Sequence, residues 1–169
     1  MSKMYVNELL PKDAARVAIP GGAQIAGHII QVVKSIYSGS TGVSTSTWSS
    51  LGRSLTITPL YANSHIYITY SATSYFENGF GYFTFYRNGT NLYNLGGYNT
   101  NPSVQAITQL GNSSGSFYFP SVMAYYDYTH NSTSALTYSV YAKTGGSGTT
   151  YFPPGSSDAA TFVAMEIAQ

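Results

Sequence analysis

Four carboxylates stand in the chain beyond residue 34: Glu77, Asp127, Asp158 and Glu166. Hydrolysis by paired acids needs two carboxyl groups held about 5 to 10 Å apart, and none of the four sits in a motif that would supply its partner. Asp127 lies among Tyr125, Tyr126 and Tyr128, and two readings stand for it. Its neighbours could raise its pKa or let it position a sugar, or it is a strand-end carboxylate hydrogen-bonded to tyrosines. Glu166 alternates with Val163, Met165 and Ile167, which predicts that it points away from them, to solvent or to an interface.

His28, His65 and His130 are far apart and show none of the close spacings of zinc or iron sites. Three copies of one histidine around a three-fold axis would make a metal site, but a strand-surface histidine needs no metal to explain it. The chain has no Gly-x-Ser-x-Gly elbow, no Ser-x-x-Lys, no phosphate-cradling Gly-x-x-x-x-Gly-Lys and no dinucleotide fingerprint. The expectation is a protein that is not an enzyme, with no cofactor and no metal. The sequons at Asn88, Asn112 and Asn131 read as turns rather than glycan acceptors.

What remains is a surplus of tyrosine, 17 residues, beside abundant Ser, Thr and Asn. Flat aromatic faces next to amide and hydroxyl groups hold sugars or build interfaces at low entropic cost. Tyr93, Tyr98, Asn99, Tyr126 and Asp127 are the candidate glycan or interface contacts. The other reading is that alternate tyrosines cover strands and pack between subunits, since tyrosine is a good strand former.

The elements that must position these residues are strands. From Ile25 onward the hydrophobic period is two and turn residues recur about every ten positions. Predicted strands are Ile29 to Tyr37, Leu55 to Ile57, Ile66 to Ala72, Phe80 to Arg87, Asn91 to Leu95, Val104 to Leu110, Phe117 to Tyr126, Ala135 to Ala142 and Ala160 to Ala168. Asn88-Gly89 predicts a tight two-residue hairpin. Ser38 to Ser50, Gly111 to Gly115, Thr129 to Ser134 and Gly145 to Ser157 are predicted as turns and loops. Eight or nine strands and no helix predict an all-β fold, an antiparallel β-sandwich that is jelly-roll-like.

Residues 1–22 read differently. Charge is concentrated near the start of the chain, in Lys3, Glu8, Lys12, Asp13, Arg16 and Lys34, and Pro11 and Pro20 break any helix. The division is an extended N-terminal docking arm, 1–22, and a sandwich domain, 23–169. Only 8% of the residues are charged, with a net charge of +1. That gives no field for a phosphate backbone and little protection from self-association, so an oligomer without nucleic-acid partners is expected. No apolar run has the length of a signal peptide or a membrane span, which predicts no membrane partner, and the chain has no cysteine.

Several motifs, in order, resemble bacteriophage tail-fibre and virion-surface proteins. Tyr5-Val6-Asn7, Ile19-Pro20-Gly21-Gly22 and Gly27-His28-Ile29-Ile30-Gln31-Val32-Val33 are similar to the start of their domains. Thr56-Ile57-Thr58-Pro59 followed by Asn63-Ser64-His65-Ile66-Tyr67-Ile68 resembles a recurrent pattern of theirs, with His65 where lysine is usual, and Met165-Glu166-Ile167 resembles their closing strand. The resemblance covers residues 19 to 70 and 158 to 169 and leaves the tyrosine-rich middle unmatched. It implies a virion component at the virion surface, a jelly-roll-like fold and a homotrimer, made in the host cytoplasm without a signal peptide. A short arm and a single sandwich, with no shaft, favour a capsid decoration (cement) protein docked on the major capsid protein. Tyr5, Val6, Leu9, Leu10, Val17 and Ile19 would supply apolar contacts, and Lys3, Lys12 and Arg16 would pair with acids of the shell. The alternative is a short tail fibre or receptor-binding knob, held by a tail adaptor, that recognises host glycans.

Overall fold

The computed structural model describes residues 26–94, 106–145, 148–152, 155 and 158–169. The arm residues Lys3, Tyr5, Val6, Leu9, Leu10, Lys12, Arg16, Val17 and Ile19, together with Tyr98 and Asn99, lie outside the described residues.

Among the described residues all the regular structure is antiparallel β apart from one 3₁₀ turn, Leu92–Asn94. The strands are β1 (Ile29–Ser38), β2 (Gly42–Val43), β3 (Ser49–Ile57), β4 (His65–Arg87), β5 (Thr90–Asn91), β6 (Thr108–Asp127), β7 (Leu136–Thr144), β8 (Thr150–Tyr151) and β9 (Ala159–Ile167). At about 3.3 Å per residue, the 23 residues of β4 would run about 75 Å. A domain of this length is only about 40 Å across, so the strand has to bend. It does so where its pairing with β6 shifts between Glu77 and Gly79. Gly111, facing Phe80 across that break, has φ of 129°, and a Cβ there would run into the Gly79 carbonyl.

The bend distributes β4 and its partner β6 over two packed sheets. His65–Ser71 pairs with β9, which pairs with β1, while β6 lines the other side of the same stretch. Gly81–Arg87 pairs with β7, which pairs with β3. The first sheet is therefore β1-β9-β4-β6, and the second is β3-β7-β4-β6 with β5 added at the hairpin. Alternation then sends Ile66, Ile68, Tyr70 and Ala72 from the first sheet, and Phe83, Phe85, Val140 and Ala142 from the second, into one core. Phe85 stacks on Phe162 at 5.5 Å, and Phe162 meets Tyr70 edge-on at 5.9 Å, so aromatic contacts join the layers. Burying each such ring contributes about 1.5 to 3 kcal/mol.

The sandwich is thus observed, but no barrel or jelly-roll closure is present among the described strands. β1 and β3 meet through side chains instead of a ladder. The Tyr37 hydroxyl donates to the Ser54 carbonyl and accepts from the Ser54 N–H, and Arg53 Nη2 donates to the Gly39 carbonyl at 2.7 Å.

Several predicted boundaries differ for identifiable reasons. Ile66 to Ala72 and Phe80 to Arg87 are one continuous strand, because Phe76 continues the buried face. Gly111 to Gly115 is an irregularity inside β6, where partners remain available on β4 on both sides of the register shift. The return strand from Asn91 is cut to Thr90–Asn91, since Asn91 Oδ1 turns back to accept from the Tyr93 N–H and starts the 3₁₀ turn. The two predicted loops around Val43 and Thr150 pair with each other as β2 and β8. The Asn88-Gly89 hairpin is as predicted: both residues have positive φ, 49° and 85°, and the Asn88 amide oxygen accepts from the Thr137 N–H.

Candidate assembly face

The outer side of the first sheet is where chemistry and exposure part company. Its rows follow from the register. Val32, Met165, Tyr67 and Tyr126 form one row; Lys34, Val163, Thr69 and Ala124 the next; Ile36, Thr161, Ser71 and Val122 a third. Ile29, Ile167 and His65 flank the first row, and Pro120 and Tyr118 continue the face along β6 opposite Thr73 and Tyr75. Lys34 is the only Asp, Glu, Lys or Arg in these rows. Most of the large hydrophobic side chains that the fold leaves exposed are here: Ile29, Val32, Ile36, Tyr118, Val122 and Tyr126, with Val32, Ile36 and Val122 at 55%, 62% and 61%.

A sheet with one wet face alternates apolar and polar residues, whereas a strand covered on both faces reads apolar throughout. β9 is of the second kind. Ala160, Phe162 and Ala164 fill the core, yet Val163, Met165 and Ile167 on its other side are only half-buried and have no layer packed over them in a single chain. Strands about 4.8 Å apart and rows spanning about ten residues give a flat patch of roughly 500 Å² before side-chain relief. That is the scale of the ~800 Å² that each partner contributes to a standard interface.

At one end of the face, His65 Nδ1 lies 2.8 Å from the Tyr126 hydroxyl, and Gln169 Nε2 donates to the same oxygen at 3.3 Å. Tyr126 and Tyr128 both present ring edges to the His65 imidazole. Desolvation and the nearby His130 lower the His65 pKa, against an opposite pull from Asp127.

Behind this face the two central carboxylates are engaged inward. Asp127 is fully buried; it accepts from Arg87 Nη1 at 2.6 and 2.7 Å, from the Tyr138 hydroxyl at 2.7 Å and from the Thr129 N–H at 3.0 Å. Burial alone would raise its pKa, but the Tyr138, Arg87 and Thr129 hydrogen bonds outweigh it and hold the carboxyl below its usual range. The tyrosine that bonds it is Tyr138 of β7, and not one of its sequence neighbours Tyr125, Tyr126 and Tyr128.

Glu166 corrects the expectation of a solvent-facing or interface side chain. It is fully buried and accepts from the Leu60 and Tyr61 N–H groups at 2.9 and 3.1 Å, from the Ser64 hydroxyl at 2.6 Å and from Gln31 Nε2 at 2.6 Å. The inward face of β9 is Ala160, Phe162, Ala164, Glu166, and the two alanines leave only Phe162 as a sequence-level mark of that face. Desolvation raises the Glu166 pKa and these donors more than reverse it.

Of the other sequence candidates, Tyr93 is buried within the 3₁₀ turn, and Tyr126 is 37% exposed on the face. Asp158 Oδ2 accepts from the Gly155 N–H at 3.0 Å. His130 is buried, its Nε2 2.6 Å from the Ser64 carbonyl oxygen, and His28 is exposed. Among the described residues no three His, Cys, Asp or Glu side chains group to hold a metal ion. Neither a scan against protein-family models nor a comparison with curated proteins finds a match to this chain.

The residues of the face itself, Val32, Ile36, Tyr67, Val122 and Met165, were not singled out from sequence. The doubly apolar β9 was the available signal.

Proposed function

We propose that this protein is a non-enzymatic structural component of a bacteriophage virion, a homotrimeric capsid decoration (cement) protein at the virion surface. The observation that carries the self-association is the nearly uncharged, apolar outer face of β1, β9, β4 and β6. The assignment to a virion is supported by the motif resemblance at both ends of the chain. Covering that face with two further copies removes apolar surface from water, and a bound trimer stabilises adjacent capsomers by mass action. Docking belongs to residues 1–22, whose apolar and basic side chains complement an acidic, partly apolar shell surface. The jelly-roll-like layout is part of this proposal too, supported by the two long strands that both sheets share.

Copy number tests the reading. Decoration predicts hundreds of copies per particle and antibody label distributed over the head. Tens of copies, with label confined to the tail, would replace it with the short-fibre or receptor-binding reading.

A further inference from the structure

The outer side of the second sheet has the opposite character from that of the first. Register places Tyr82 beside Lys143, Thr84 beside Tyr141, and Tyr86 beside Ser139. On β3, Ser50 faces Tyr141, Ser54 faces Ser139, and Thr56 faces Thr137, whose hydroxyls are 2.9 Å apart. Thr84 is itself fully buried, its hydroxyl donating to Asn91 Oδ1 at 2.7 Å, and the rest of the surface is made of hydroxyls with flat rings set among them. Tyr86 and Tyr141 stack with centroids 3.9 Å apart and planes 24° apart. The Lys143 ammonium lies 4.8 Å from the Trp48 ring centroid and 5.6 Å from that of Tyr82. All five side chains are half-buried, held in place while a part of each remains accessible.

Lys143 is an unusual cation here. Among the described residues the one ion pair is Arg87–Asp127, so no described carboxylate neutralises it. Its pKa is lowered by desolvation, which means that the surrounding rings remove water without supplying a counter-charge. An anion arriving over the rings would offset that cost with a charge-assisted hydrogen bond. A single cation is too little for a polyphosphate chain, and hydroxyls beside aromatic faces suit sugar rings.

We propose that this face binds an acidic oligosaccharide, with Trp48, Tyr82 and the Tyr86–Tyr141 pair under the sugar rings and Lys143 on a sugar carboxylate. The inference goes beyond the assembly role and does not depend on it, because the site lies on the opposite sheet from the assembly face. A trimer joined through the first sheet would present three such sites outward, and weak single-site binding would gain by avidity.

Trp48 is the only tryptophan in the chain, so its fluorescence reports on this site alone. The full-length protein is titrated at low salt with 6′-sialyllactose and with tetragalacturonate, lactose serving as the uncharged control, and each mixture is also read by saturation-transfer NMR. The expected result is a saturable change in Trp48 emission with at least one acidic sugar and at least tenfold weaker binding of lactose. Lys143→Met keeps the apolar stem, so its fold is preserved; it should weaken the acidic sugar about tenfold, as expected for loss of a charge-assisted contact. Tyr141→Ala should abolish binding of both. Neither a fluorescence change nor a saturation-transfer signal with either acidic sugar up to ~10 mM, the millimolar limit of weak recognition, would overturn the proposal. Binding that is indifferent to Lys143→Met would overturn it equally.

Discussion

Arg87 closes β4 in the second sheet, Asp127 closes β6 in the first, and a single nitrogen of the arginine touches both carboxylate oxygens at 2.7 and 2.6 Å. One end of the sandwich is therefore joined by charge where the rest of the core is joined by aromatic rings. Tyr138, from β7 of the second sheet, adds its hydroxyl to the same carboxylate. Replacing Arg87 by Met leaves a fully buried, unpaired carboxylate, and loss of one partner of a buried pair costs about 3 to 5 kcal/mol. Urea unfolding should show that loss. The double variant Arg87→Met/Asp127→Asn should recover part of it, because the stranded charge is gone.

Glu166 does for residues 60–64 what a capping residue does for a helix: it gathers backbone N–H groups that have no ladder partner. Glu166→Ala should cost about 1 to 3 kcal/mol, the penalty of leaving buried donors unsatisfied. Faster amide exchange at Leu60 and Tyr61 should accompany it.

Acid should unfold the protein through both carboxylates. The folded pKa values of Asp127 and Glu166 are held below their ordinary values of 3.8 and 4.5. Their stabilising contribution is therefore present above those values and lost as pH falls through the folded ones. The thermal midpoint should fall below about pH 4, and by less in Glu166→Gln, which does not titrate.

At high pH the sign reverses in charge but not in outcome. Burial pushes the Tyr70 hydroxyl up from 10.0 to about 12, and Tyr138 rises as well, through burial and then the Asp127 charge. The unfolded chain releases these protons above pH 10 while the folded chain keeps them, so stability falls from about pH 10 upward. Absorbance at 295 nm should show the exposed tyrosines titrating first, with the buried ones appearing together with unfolding.

How far the sequence carried the fold depends on which residues were asked. Ile66, Ile68, Tyr70 and Ala72 declared their inward face by period alone, and Asn88-Gly89 declared its turn by the need for positive φ at both positions. Glu77 to Gly79 and Gly111 to Gly115 concealed the continuity of β4 and β6, because a glycine that bends a strand and one that ends it look alike in a single chain. Asp127 was legible as a strand-end carboxylate, but its partner Arg87 lies 40 residues away and only the bend brings them together. Glu166 was misplaced because Val163, Met165 and Ile167 look like a core face; they are apolar, yet they form the uncovered side of the sheet.

That uncovered side is the centre of the account, and solution mass tests it most directly. Light scattering behind size exclusion should give three times the 18.2 kDa chain mass. Val122→Asp, at a position already exposed in the single chain, should give a folded monomer with an unchanged circular dichroism spectrum. A wild-type protein that runs as a monomer at tens of micromolar, or a Val122→Asp variant that remains trimeric, would contradict assembly through this face.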